Sequence, residues 1–461
     1  MSAEENVVGY RFAGDIEVKN VFMVSQGGEK IDLGPIISEI NIFQNMFNHY
    51  LQCDVVISDA VALLNELRGD PQNGIQGGFN GGETLVVSYK TKSDSIDYKT
   101  HLFGIYEISD RTRLDDKNEA YVLNAISIEA YQSSTQKISR AYGGNQGNII
   151  SNMVKSVVGE YIYNRPVQEI LTQYAQVVGV TVFKKVDIYP TTGFQRFVIP
   201  NLTVDDTIDF FAIESDSDNH IPLFFFYEDT DGFKFVDVNT LVQQPPRERY
   251  VYVSTNVPEE KPNKDNDSDE NIVVRDYQKI ISFDVIRQTN ILDNAKSGLF
   301  RQKTINLDIL RKNKSEVVFD YEKAHGRFNT LQKLRIPGSV NGDPVIHMFN
   351  SRIGHDNGVF QSENHLPKRI NQITPYSTSY RKHIFNTLVN VTVPGNSELL
   401  AGDTVFLDIP TATTLDKEDG RRDKYLSGKY LVTSVRHIFG GKTGETFTTV
   451  FECTKDTGIQ I

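Results

Sequence analysis

A chain of 461 residues is too long for one ordinary core, and with 39% hydrophobic and 23% charged residues it carries apolar material for roughly two to four domains. Its formal net charge of −12, without any Lys/Arg-rich run, argues against a protein that grips nucleic acid, which needs a basic patch to displace counterions from phosphates. Tyr and Phe number 21 and 27, Trp is absent, and Val, Ile and Thr are frequent, a composition suited to pleated, half-buried surfaces.

The N-terminal Met1, Ser2, Ala3, Glu4 and Glu5 are followed by no apolar run, and no run further on is long enough to cross a bilayer. A protein made and folded in a cytoplasm, without a membrane anchor, is expected. Cys53 and Cys453 cannot form a disulfide framework and have no metal or redox spacing, so small buried hydrophobes in strands are expected.

Residues 10–131 read as six short strands and one helix, which suggests a small closed or nearly closed barrel. Strands are expected at 18–24, 36–43, 53–59, 83–89, 99–108 and 119–130, a short helix at 59–67, and a glycine-rich loop at 74–82. From about residue 130 the spacing turns helical, at 133–142, 148–158 and 166–177. Thr203, followed by Asp205 and Asp206, marks a helix start, and Asp231-Gly232 joins strands 222–228 and 233–237 into a hairpin. This middle region is α/β. Residues 258–270, PEEKPNKDNDSDE, cannot bury enough apolar surface to order themselves and read as a charged linker or loop.

Beyond the linker the pattern of the first region returns. Residues 279–285 parallel 35–41, and the strands that follow each, 302–310 and 52–58, correspond in turn. Then 401–407 parallel 81–87, 429–435 parallel 102–108, and 445–455 parallel 119–130. The second copy is interrupted by 320–385.

A search for chemistry finds no catalytic, cofactor or metal residues to name. There is no GxSxG, HExxH, HxH or phosphate-cradling glycine loop, and no pair stands out among the 60 acidic residues. His325, His347, His355, His365 and His383 gather in the interruption but lack metal-ligand spacing, so scattered surface histidines are expected.

Three groups of segments carry a resemblance. The first is 36–59, the glycine-rich loop, Gly82-Glu83-Thr84-Leu85-Val86-Val87 and Phe103-Gly104-Ile105-Tyr106-Glu107-Ile108. The second is Ile199-Pro200-Asn201-Leu202-Thr203-Val204-Asp205-Asp206 and Phe224-Phe225-Phe226-Tyr227-Glu228 through Phe235. The third is Val391, Pro394-Gly395, Gly402-Asp403-Thr404-Val405-Phe406-Leu407 and Ser427-Gly428-Lys429-Tyr430-Leu431-Val432 through His437. Together, and in the same order along the chain, they resemble the baseplate central hub proteins of contractile-tailed phages, the T-even hub being the familiar example. The chain differs from that hub in length and in its charged 258–270 segment.

The resemblance implies an α+β, mainly β fold: two tail-tube-like antiparallel β-barrels with an intervening α/β domain and an insertion in the second barrel. The corresponding divisions are 1–132, 133–257, a linker at 258–271, 272–319 with 386–461, and the insertion 320–385. It implies a non-enzymatic subunit without cofactors, in a homotrimeric, pseudo-sixfold ring that joins a threefold spike to a sixfold tube and lines the tail channel. Its implied partners are the spike protein trimer, the tail tube protein, the tape-measure protein and baseplate wedge proteins, with no specific nucleic-acid binding and no membrane anchor. Its implied place is the virion tail baseplate, after assembly in the host cytoplasm. Subunit borders are expected at 43–50, 290–300 and the 74–82 loop. Two other readings stand beside this one: the hub of a related contractile injection system, and a soluble carbohydrate-acting or carbohydrate-binding β-protein.

Overall fold

The computed structural model describes residues 16–459 apart from 27, 67–77, 80, 92–98, 144–147, 179–183, 253–276, 309–311, 337–342, 351–372, 412–421 and 441–445. The charged linker expected at 258–270 lies outside the described residues.

Alternating apolar residues build the first part: β1 (Ile16–Val24), β2 (Lys30–Asp32), β3 (Ile37–Asn45), β4 (Gln52–Asp59), β5 (Thr84–Thr91), β6 (Lys99–Arg113) and β7 (Glu119–Ser127). In β4 the side chains of Cys53, Val55 and Ile57 are buried while those between them are partly exposed, the two-residue period of a strand with one wet face. Cys53 and Cys453 are both buried, as expected.

The middle part holds β8 (Lys137–Tyr142), β9 (Lys185–Ile188), β10 (Phe197–Thr203), β11 (Phe224–Asp229) and β12 (Gly232–Asp237). Helices Ile150–Val157, Arg165–Val178 and Val204–Glu214 accompany them. Thr203 caps the last of these, its hydroxyl accepting the Asp206 amide at 3.1 Å. Residues 133–142, expected as helix, contain β8 instead. Ile138 and Tyr142 bury one side of that segment and pair it with β10, so cross-strand packing overrides the helical spacing.

The remaining strands are β13 (Glu248–Val251), β14 (Ser282–Arg287), β15 (Arg301–Asp308), β16 (Asn313–Asp320), β17 (Val345–Asn350), β18 (Thr387–Pro394), β19 (Thr404–Asp408), β20 (Gly428–Gly440) and β21 (Thr446–Lys455). The fold is mainly β with few helices, but the two separate barrels are not found. Among the described residues thirteen of the strands lie in one sheet, ordered β14-β18-β21-β20-β3-β4-β7-β6-β5-β1-β2, with β19 paired to β20 and β13 to β19, while β8 with β10, β9 with β11 and β12, and β15 with β16 and β17 form three smaller sheets. No closed barrel is found among the described residues, although Val251 of β13 bridges to Lys279 just before β14, and β20 pairs with β3, joining the two halves edge to edge.

One arrangement occurs twice within this sheet. The order β3-β4-β7-β6-β5 is repeated as β14-β18-β21-β20-β19, antiparallel at every step. In the first copy β6 bulges between Ile105 and Glu107, and in the second β20 bulges between Val432 and Ser434. Bulges mark fixed points of register, and these two fall where the sequence parallel of 429–435 with 102–108 sets Thr433 on Tyr106.

The turns into β5 and β19 also match. Gly82 and Gly402 share φ +88, and each amide donates across the sheet, to Ile105 O at 2.8 Å and to Val432 O at 2.9 Å. The return bonds run from Ile105 N to Glu83 O and from Val432 N to Asp403 O. Glycine adopts this left-handed conformation without strain.

Two expected parallels are corrected. The strand answering β4 is β18, not 302–310: β15 pairs with β16 and β17 in a three-stranded sheet of its own. The interruption of the second copy therefore opens directly after β14, and 301–319 belong with it. The parallel of 279–285 with 35–41 slips by one residue, because β3 bulges between Ile37 and Glu39. Phe283 then stands opposite Val391 as Ile40 stands opposite Val55, apolar on apolar.

Candidate assembly interface

The junction of the two halves is an antiparallel ladder from Ser434 opposite Asn45 to Gly440 opposite Glu39. Arg436 on β20 donates through Nε to Asn41 Oδ1 at 2.9 Å, lies 3.5 Å from Glu39, and covers the Phe43 ring. Beneath it Phe439 stacks on Phe447 and packs on Tyr89, with ring centroids 4.8 Å apart in each case, so side chains of the second copy complete the core of the first.

Two histidines are sealed into this junction. The Gln44 carbonyl oxygen accepts the Ala401 amide at 3.3 Å, which leaves its NH2 group to donate to His437 Nε2 at 3.0 Å. His437 then carries its proton on Nδ1, facing Thr449 Oγ1 at 3.3 Å. Burial pushes His437 down to about 3, and Lys99 adds to the effect. His101 on β6 is pushed down to about 3 as well, by burial first and then by the charges of Lys184 and Lys99.

A buried charge cluster ties the middle part to the first copy. Lys184 Nζ lies 2.6 Å from Glu129 Oε2 and also pairs with Glu228, all three essentially removed from water. Burial acts to lower the lysine pKa, but the two carboxylates outweigh it and hold the ammonium charged. Burial raises Glu228, against the pull of Lys184. The second oxygen of Glu228 accepts the Leu51 amide at 3.1 Å, between β3 and β4.

The segments expected at subunit borders fare differently. Residues 43–45 are not a free edge, for they pair with β20 inside the chain. Phe47 and Tyr50 turn onto the middle part, Phe47 edge-on to Phe225 at 5.4 Å and Tyr50 donating to Asp205 at 2.7 Å. Residues 290–300 hold helix Ile291–Lys296, whose Ile291 and Leu292 are exposed. Of the 74–82 loop, residues 74–77 and 80 lie outside the described residues. Phe79 is held there by its backbone amide, which donates a hydrogen bond to Leu64 O at 3.0 Å.

The free edges lie elsewhere. β5 accompanies β6 only as far as Gly104, so among the described residues, residues 107–113 of β6 pair with β7 alone. β14 ends the sheet's path and pairs with β18 among the described residues, with Val251 of β13 bonded to residues 278 and 280 just before its start. Ile281 and Ile286 are more than half or half exposed there, at 57% and 50%. The sequence carries the signal for both edges in its repeat, once the strand order of the two copies is known.

Of the histidines in the interruption, His325 and His383 meet with ring centroids 5.3 Å apart, and Tyr321 and Asp456 close around His383. His383 is buried there and His325 half-buried, so these two depart from the scattered surface set expected, while His347 lies apart on β17. His355 and His365 lie outside the described residues, and among the described residues no three His, Cys, Asp or Glu groups are placed to hold a metal. No described helix is long and apolar enough to cross a membrane.

No family model matches the chain, nor does any curated protein. Among solved structures, a tail protein from Neisseria meningitidis MC58 aligns with a TM-score of 0.50 at 10% identity, over 95% of this chain and 96% of that one. The 43 kDa tail protein of prophage MuSo2 from Shewanella oneidensis aligns at 0.47 and 10% identity, over 96% and 100%. A type VI secretion component of E. coli, described as similar to T4 bacteriophage tail proteins, aligns at 0.39 and 8%, over 97% and 79%. The resemblance read from the sequence holds at the level of fold: from end to end, the chain is built like the Neisseria tail protein.

Proposed function

We propose that this chain is a structural subunit of the baseplate hub of a contractile phage-type tail, forming a trimeric ring with pseudo-sixfold symmetry. The observation that carries the reading is the doubled strand arrangement with its edge-to-edge junction. A chain that presents two equivalent modules side by side lets three copies offer six, which matches a threefold spike to a sixfold tube. The shared fold with a bacterial tail protein over nearly the whole of both chains supports it.

In this role the chain acts without catalysis or cofactor. Its partners are the spike trimer on one face, the tail tube on the other, the tape-measure protein in the channel and wedge proteins outside, all within the virion tail. The hub of a related contractile injection system would use the same architecture.

Light scattering on the purified chain tests the reading, followed by particle imaging. A mass of three times 52.1 kDa and a ring of six modules are expected. A monomer that remains one on co-expression with a spike trimer would sink it.

A further inference from the structure

The internal junction is a template for a contact that the single chain cannot make. Within the chain, the part of β20 beyond its bulge pairs with β3. The repeat sets β6 in the place of β20 and β14 in the place of β3. Among the described residues, β6 beyond its first bulge pairs with β7 alone and bulges again between Ser109 and Thr112, while β14 pairs with β18 and meets only Val251 on its other side, at residues 278–280 just before its start.

Burial shows the difference between the filled and the unfilled position. Val435 on β20 is buried, whereas its counterpart Ile108 is only partly so, and Tyr106 is half exposed. β20 brings Arg436 to Glu39 and Asn41; on β6 Ser109 stands at the place of Arg436, with Arg111 nearby paired to Glu119, and β14 has exposed Asp284 at the place of Asn41.

We infer that residues 107–113 of β6 in one chain pair antiparallel with β14 of a second chain, in the register of the β20·β3 junction apart from the bulge between Ser109 and Thr112. Ser109 then faces Arg287 of the second chain, as Arg436 faces Phe43 within one chain. The contact is heterologous: each copy uses unlike edges, and the sheet continues from chain to chain. This inference rests on the ring proposed above and names the surfaces that close it.

Two edge-blocked variants test it, with lysines at exposed positions: Tyr106→Lys/Thr112→Lys on β6, and Ile281→Lys/Ile286→Lys on β14. Each alone is expected to lose the wild-type oligomer and run at 52.1 kDa while keeping a single cooperative urea transition. Mixed, they are expected to form a one-to-one dimer, because one supplies an intact β14 and the other an intact β6.

Oxidation of Ser109→Cys/Arg287→Cys is expected to link chains covalently, with the buried Cys53 and Cys453 silent and Ser109→Cys alone giving no link. If either lysine variant alone keeps the wild-type mass, or the double cysteine variant stays unlinked within an intact oligomer, the pairing is wrong while the ring stands. A wild-type chain that is monomeric at every concentration removes this pairing and the self-closing ring together.

Discussion

Lys184 Nζ and Glu129 Oε2 stand 2.6 Å apart, with the lysine side chain 6% exposed and the glutamate fully enclosed. The pair bridges the middle part and the helix Ile128–Ser133 that follows β7. Replacing Lys184 by Met strands two buried carboxylates, Glu129 and Glu228, beside each other. A loss of ~3–5 kcal/mol in urea unfolding is expected, and Lys184→Met/Glu129→Gln/Glu228→Gln is expected to recover most of it, since neutral amides need no counter-charge. A single variant as stable as the wild type would show the cluster to be indifferent.

Acid should loosen the junction before it titrates ordinary carboxylates. His101 and His437 sit near 3 in the folded chain against about 6.5 unfolded, so between these values the unfolded chain binds more protons. Stability is full above pH ~6.5 and falls as pH drops towards 3, by up to about 1.4 kcal/mol per unit for each histidine. Urea midpoints from pH 7 to 4.5 measure the slope, and His101→Gln/His437→Gln is expected to flatten it.

Gly82 and Gly402 share a conformation but not a neighbourhood. A Cβ at Gly402 would come 2.1 Å from the hydroxyl of fully buried Tyr227, and one at Gly82 would come 2.6 Å from the hydroxyl of partly exposed Tyr131. Gly402→Ala is expected to cost about 3 kcal/mol or more, and Gly82→Ala about 1–2 kcal/mol, because Tyr131 can swing into solvent. Equal costs in thermal unfolding would contradict that account.

Asp456 anchors the interruption to the end of β21, its carboxylate accepting the amides of Leu331 and Gln332 at 2.8 and 3.0 Å. Asp456→Ala leaves those donors unmet, the Leu331 bond being buried, at a cost of ~1–3 kcal/mol. Limited proteolysis is expected to cut between β16 and β18 faster than in the wild type, while the β20·β3 junction keeps its amide protection.

The repeat was legible where short-range rules govern it. The Gly-acid-Thr turns at 82–84 and 402–404 and the bulged residues Tyr106 and Thr433 align from sequence alone, because glycine conformation and strand alternation are local. The partner of β4 was misread because 302–310 alternates as well as 387–394 does, and only pairing across the interruption distinguishes them. Residues 43–45 look like an edge for the same reason: nothing near them in the chain reveals that β20 will cover them. Gln44 and His437, 393 residues apart, meet without any local mark in either neighbourhood.

That separation sets an order of events during synthesis. At ~5–20 residues per second, β3 leaves the ribosome ~20–80 s before the strand that will cover it. Throughout that interval the β3 edge is bare, and polysomes bring the bare edges of several nascent chains close together. Completion of the C-terminal hairpin therefore acts as a clock for the whole molecule: a chain truncated before β20 keeps an uncapped strand, and accumulates as aggregate and not as a smaller version of the same subunit.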